Sequence, residues 1–274
     1  MVRGWWIVSG LALALPGILS AQQIEQSKQV WASAVVREFG QPVIPIFDGW
    51  FANSDGSKTL CYGYFNLNTA QTLDIPHGEA NYLSDERYRF ATPTHFDPMP
   101  PQYRRKFCVF TIDVPADFPA NQTIDWHLTS AGEALSVPGH VLPAYVLDEP
   151  DSIGRGRKAP TLSMPGTTGK TRGRRGITFE PVLRVTAGEA LEIPYEVEHD
   201  NTSVWVGWTQ FSGPGQVSFS VGEATVTADG SPQQVSVVFS EPGDYVVQLQ
   251  SISSTADFEF FCCHSNAYYK VTVR

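Results

Sequence analysis

The feature that most restricts the fold of this sequence is strict apolar–polar alternation in short runs. In "ALEIPYEVE" (190–198), Leu191, Ile193, Tyr195 and Val197 oppose Glu192, Glu196 and Glu198. A period of two puts one set on each face of a β-strand and does not suit an amphipathic helix. "TSVWVGWTQ", "QVSFSV", "ATVTA", "QQVSVVFS", "DYVVQLQS", "DFEFFCC" and "AYYKVTV" follow, separated by turns such as "SGPG" and "EPGD". Strands at that spacing predict a Greek-key sandwich over 177–274. In the last run, Ala267, Tyr269, Val271 and Val273 are expected inward, and Tyr268, Lys270 and Thr272 outward.

The preceding half has the same character. "VIPIFDGWFANSDGSKTLCYGYFNLN" reads as strand, turn and strand, with Gly56 free to take positive φ. "KFCVFTIDVP" and "QTIDWHLT" alternate again; Ile124, Trp126 and Leu128 face one side, Asp125, His127 and Thr129 the other. Between the hairpin and these strands runs a long, polar, proline-rich stretch from Asp74 to Lys106, carrying Tyr82, Tyr88, Phe90, Phe96 and Tyr103. A loop of that length is either functional or packs its own aromatics over a sheet edge. One weak helical pattern, Trp31, Ala34, Val35 and Phe39, precedes Gly40.

Residues 149–176 are rich in Gly, Pro, Ser, Thr and Arg, and lack apolar periodicity, so they read as a linker. The expected organisation is therefore all-β: a β-sandwich over 22–148, a Gly/Pro/Arg-rich linker over 149–176, and an Ig/PKD-like Greek key over 177–274. Within it, 155–175 holds Arg155, Arg157, Lys158, Lys170, Arg172, Arg174 and Arg175 and no acid, and reads as solvated. The formal net charge is −9, so the rest of the chain is strongly acidic and disfavours nucleic acid.

Residues 1–21 place Arg3 before an apolar run from Trp5 to Leu19 and end in small residues at Ala21. This is the pattern of a cleaved secretory signal. The run is shorter than the roughly 20 residues a spanning helix needs, and Pro16-Gly17 interrupts it. A secreted or periplasmic protein, not membrane-spanning after cleavage, is expected. In that compartment Cys61, Cys108, Cys262 and Cys263 are expected to be oxidised; four cysteines allow three pairings. Cys61 with Cys108, and Cys262 with Cys263, would keep each bond within one half.

Two segments resemble the PKD-like and immunoglobulin-like sandwich families. Trp208 to Val217, "WTQFSGPGQV", is similar to the third-strand run of PKD-like repeats. Glu241 to Val247, "EPGDYVV", resembles the entry to the penultimate strand, which implies a tyrosine corner at Tyr245. Val247 stands where antibody domains hold cysteine, so that inter-sheet disulfide is not implied. "FDGWFANSDGS", "GYFNLN", "LDIP", "PTHF", "VPADF" and "VPG" resemble an uncharacterised family of predicted secreted bacterial two-domain β-sandwich proteins. That resemblance supplies no catalytic residue.

Cys262 and His264 are the candidate metal ligands, yet blue copper wants two His, one Cys and usually a Met. Adjacent Cys262 and Cys263 point to opposite faces of a strand, so no metal or cofactor set is visible. Asp48, Asp74, Asp97, His77, His95 and His127 supply acid–base groups, but their spacing selects no pair. No nucleophile elbow, zinc helix or phosphate loop is present. A non-catalytic structural or adhesion-like role at the cell envelope is expected, toward an envelope protein or glycan. The alternatives are a carbohydrate-binding module and a metal- or thiol-dependent enzyme. For sugar stacking the candidates are Trp50, Tyr82, Tyr88 and Tyr103; core packing is the competing reading of Trp50. Asn121 and Asn201 head N-x-S/T patterns.

Intact-mass measurement on exported protein, native and alkylated, is expected to show a chain beginning at Gln22 with no alkylated cysteine. Retention of residues 1–21, or mass added by alkylation, would reverse the corresponding expectation.

Overall fold

The computed structural model describes residues 37–98, 105–147, 158–253 and 264–274. The expected signal at 1–21, the helical pattern at Trp31, Tyr103, Cys262 and Cys263 lie outside the described residues.

The N-terminal half runs β1 (Val43–Ala52), β2 (Lys58–Asn66), β3 (Leu73–Asp74), β4 (Asn81–Leu83), β5 (His95–Phe96), β6 (Arg105–Val114), β7 (Ile124–Ser130) and β8 (Glu133–Gly139). Strands β1 and β2 are the expected hairpin; Asn53 donates to Ser57 O, and Gly56 takes φ 85°. Sheet β1-β2-β6 faces sheet β4-β7-β8, with β3-β5 as a separate pair. Tyr62, Tyr64, Phe110 and Ile112 from one sheet meet Leu83, Trp126 and Leu128 from the other.

The long polar stretch is ordered by buried side-chain amides. Asn81 donates to Ile75 O and Pro93 O and accepts from Trp126 Nε1. Asn66 donates to Asp97 O at 2.8 Å. These bonds satisfy loop carbonyls that would otherwise be buried without partners.

The C-terminal half runs β9 (Thr161–Ser163), β10 (Lys170–Arg172), β11 (Ile177–Val185), β12 (Ala190–Ser212), β13 (Val217–Phe219), β14 (Glu223–Phe239), β15 (Gly243–Ile252) and β16 (His264–Val273). Four of the expected short strands are fused into two long ones. The first part of β12 pairs with the last part of β14; after register shifts near Glu198, β12 pairs with the start of β14 and with β15. Strand β15 pairs with β16, and β11 runs parallel to β16. This is the Ig-like arrangement, and its interior holds Ile193, Trp208, Val237, Tyr245, Leu249 and Tyr269. Ala267, Tyr269, Val271 and Val273 are buried, as the alternation requires. Tyr245 makes the corner: its hydroxyl donates to Glu241 O and accepts from Gly215 N.

The second part of the expected linker differs from its reading. Strand β9 pairs with β12 at Val197, and β10 pairs with β9. Leu162 and Met164 enter the core, and Arg174 is 1% exposed. Composition missed this because three-residue strands have too little periodicity to register. The charges are also used locally: Lys158 pairs with Asp200, Arg172 bonds Thr161, and Arg175 pairs with Asp113. All described residues after Val36 fall in one compact unit.

Cys61 and Cys108 are bonded, 47 residues apart. Replacing both by serine should lower unfolding free energy by about 4 kcal/mol on the chain-entropy account. Tyr245→Phe should cost about 1 kcal/mol. Denaturant titration against wild type checks both.

Candidate functional site

The halves meet along β6, which pairs with β2 on one side only. Its other side is met by side chains from the outward face of β15 and β16. Gln248 Nε2 and Tyr268 Oη both donate to Val109 O, at 2.9 and 2.8 Å. Asn266 Nδ2 donates to Cys108 O and Arg174 O. Phe211 packs into the N-terminal core, and Thr94 N donates to its carbonyl.

A crevice of about 360 Å³ opens beside this contact. One wall is Phe110, Thr111 and Asp113 of β6; the other is Ile177 and Thr178 of β11 with Val246, Tyr268 and Lys270. Phe211 closes one side. Arg175 Nε donates to Asp113 Oδ2 at 2.9 Å, and Thr59 Oγ1 donates to Asp113 Oδ1 at 2.6 Å. Lys270 stands half-exposed at the rim, 3.8 Å from Glu180. The arrangement is an apolar floor with a charged rim, within the size range of ligand pockets.

Behind the junction lies a buried charged cluster. Strand β1 carries an extra residue at Asp48, and β6 is irregular opposite Gly63. Asp48 Oδ2 accepts the Cys108 N–H at 2.6 Å, and Oδ1 accepts from Arg105 Nη2. The bulge leaves that amide without a ladder partner, and Cys108 has φ 47°. The carboxylate supplies the acceptor and passes over Gly63, where a Cβ would lie 2.5 Å from Oδ2. Burial pushes the Asp48 carboxyl up to about 6; Arg105, the Cys108 amide and then Arg174 oppose the rise. The Phe107 ring has Arg105 at 5.2 Å and Arg174 at 5.6 Å.

His264, the candidate metal ligand, is buried beside this cluster. Burial first, then the charge of Arg174, lowers its imidazole to about 3, so the ring is neutral. Among the described residues its Nε2 has no hydrogen-bond partner, but the nearby guanidinium opposes a cation. Among the described residues no group of three or more His, Cys, Asp and Glu is placed to hold a metal ion.

The acid–base residues divide. Asp48 sits apart, whereas Asp74, His95 and Asp97 come together. His95 Nδ1 lies 2.6 Å from Asp74 Oδ1, and Nε2 lies 3.0 Å from Asp97 Oδ1. Both ring nitrogens are committed to carboxylates, so the ring has no free position for proton transfer to a substrate. Sequence spacing could not find this set, because β3 and β5 are two residues each.

Among the described candidate stacking aromatics, Tyr82, Tyr88 and Trp50 are each engaged by different partners. Tyr82 stacks on His127 with centroids 4.6 Å apart, and Arg89 lies 5.0 Å over the same ring. Tyr88 packs against the core and donates its hydroxyl to Asp113 O. Trp50 packs partly on the core and donates Nε1 to Leu142 O. His127 and His77 are taken up by Tyr82 and Phe90.

No protein-family model matches the chain, and no curated protein matches it in sequence. Among solved structures it is similar to the D00-D0 domain of intimin, at 12% identity and TM-score 0.28, covering 84% of this chain and 100% of that one. A C. elegans MSP family member gives 12% identity and TM-score 0.28, over 34% of this chain and 92% of that one. Two domains of the S-layer protein SbsC give 13% and 0.26, over 56% and 65%. Likenesses this distant assign neither fold nor function to this chain.

Gly63→Ala should cost at least about 1–3 kcal/mol, the usual range for over-packing a filled interior. Its Cβ meets both the Asp48 carboxylate and the Lys106 carbonyl. Thermal and urea unfolding should show the loss, and a wild-type midpoint would exclude this account of the bulge.

Proposed function

We propose that this is an exported, non-catalytic β-sandwich protein with a structural or adhesion-like binding role at the cell envelope. The crevice between the halves is its binding surface. One observation carries the reading: the walls of the crevice come from both halves, which buried bonds hold as one unit. A preformed groove loses little freedom on binding, which favours recognition. At its rim Arg175 is held by Asp113, whereas Lys270, half-exposed and only loosely paired with Glu180 at 3.8 Å, suits an anionic group on an envelope protein or glycan.

The compartment follows the same logic. The Cys61–Cys108 bond suits an oxidising environment, and the leader pattern at 1–21 suits export. No helix among the described residues is long and apolar enough to cross a membrane. A sugar-stacking role draws no support from the Tyr82, Tyr88 and Trp50 geometry.

Two variants test the site. Thr178→Trp fills the crevice, and Lys270→Glu reverses its rim; both side chains are outward. Titration with solubilised envelope proteins and cell-wall glycan fragments should show wild-type binding weakened at least tenfold by each variant, at unchanged unfolding midpoint. Binding that neither variant alters, or turnover of any probe, would overturn the reading.

A further inference from the structure

The Asp74–His95–Asp97 set occupies a second contact between the halves. Asp74 ends β3, His95 begins β5, and Asp97 follows β5. Asp74 Oδ2 also accepts from Gln216 Nε2 of the C-terminal half, at 3.1 Å. One residue before His95, Thr94 N donates to Phe211 O at 2.9 Å. Both C-terminal partners flank the turn between β12 and β13. That turn is therefore seated on the N-terminal half through groups directly bonded to His95.

We propose that His95 is a pH-sensitive clasp that sets how firmly the β12–β13 turn is held against the N-terminal half. The chemistry follows from the geometry. A doubly protonated ring donates to both carboxylates at once. A neutral ring has one N–H, so it keeps one carboxylate and turns a lone pair on the other. The ring is 6% exposed and little water can relieve that mismatch.

The groups facing His95 are Asp74 from β3, Asp97 after β5, and Lys106 from β6, whose charge acts on Asp97. Glu223 of β14 acts on Lys106, and Tyr64 of β2 neighbours Asp97. Burial alone would lower the His95 imidazole, but Asp97 and then Asp74 together raise it above its ordinary value. Burial raises Asp97, and the His95 bond with the charge of Lys106 outweighs it, leaving Asp97 lowered. A raised histidine contributes stability that is full below about 6.5 and lost as pH rises through its folded value. A lowered carboxylate contributes stability that is lost only in acid. The clasp is therefore closed from about pH 4 to 6.5 and loosens above.

Amide hydrogen exchange resolved by residue, corrected for intrinsic rates, tests this on the full exported chain without ligand. Wild-type protection at Thr94 and across 211–217 should fall as pH rises above about 6.5. The fall should be roughly tenfold for each unit by which the His95 ring titrates above 6.5. His95→Gln should show low, pH-independent protection there. Asp74→Asn should move the step to lower pH, and reads the same clasp if the glutamine variant does not fold. Asp48 titrates in a neighbouring range and is untouched by both variants, so any step it causes persists in them. Protection that is flat with pH in wild type, or a step unmoved in both variants, overturns the proposal.

Phe211 also lines the crevice, so a loosened clasp would widen it. Only that consequence rests on the binding role proposed above. Exchange measured without ligand leaves the two separable: the clasp can hold while binding fails, and the reverse.

Discussion

The structure depends on how the open side of β6 is satisfied. That strand pairs with β2 alone, so half of its backbone groups face away from any ladder. At an exposed edge water would serve them, but here they are covered by the other half. The buried carbonyls of Cys108 and Val109 need donors, and Asn266, Gln248 and Tyr268 provide them. Leaving such a buried group unmet costs its desolvation penalty, roughly 1–3 kcal/mol each, more than the net worth of a typical hydrogen bond. The two halves are thus joined by necessity of hydrogen bonding as well as by Phe211 in the N-terminal core.

The same strand explains the buried charges. Its irregularity at Cys108 frees an amide, Asp48 is bulged out of β1 to meet it, and Gly63 leaves the space between. Once a carboxylate is buried, cations must follow, and Arg105 and Arg174 do. Arg174 comes from the segment that composition reads as a solvated linker. Its burial is a consequence of a carboxylate more than a hundred residues earlier, which no local pattern reports.

The proposed function rests on the joint between the halves. A crevice with walls from two sandwiches exists only because they are fixed together, and at its rim Arg175 is paired with Asp113 across the joint. On the other side of the contact, a histidine between two carboxylates links the seating of a turn to pH. In the second arrangement both ring nitrogens of His95 are engaged by carboxylates.

Alternation of side chains determined the strand class, the inward residues of β16 and the hairpin of β1 and β2. "EPGDYVV" announced the tyrosine corner, and spacing within one half allowed the Cys61–Cys108 bond. These were legible because each depends on residues close in sequence. Only the tertiary structure decided that Tyr268, Gln248 and Val246, outward by period, would be covered by the other half. It alone brought Asp74, His95 and Asp97 together and buried Arg174. Contacts such as His95 with Asp74 and Tyr268 with Val109 join positions 21 and 159 residues apart, and a period of two says which face a side chain takes, not what will lie against that face.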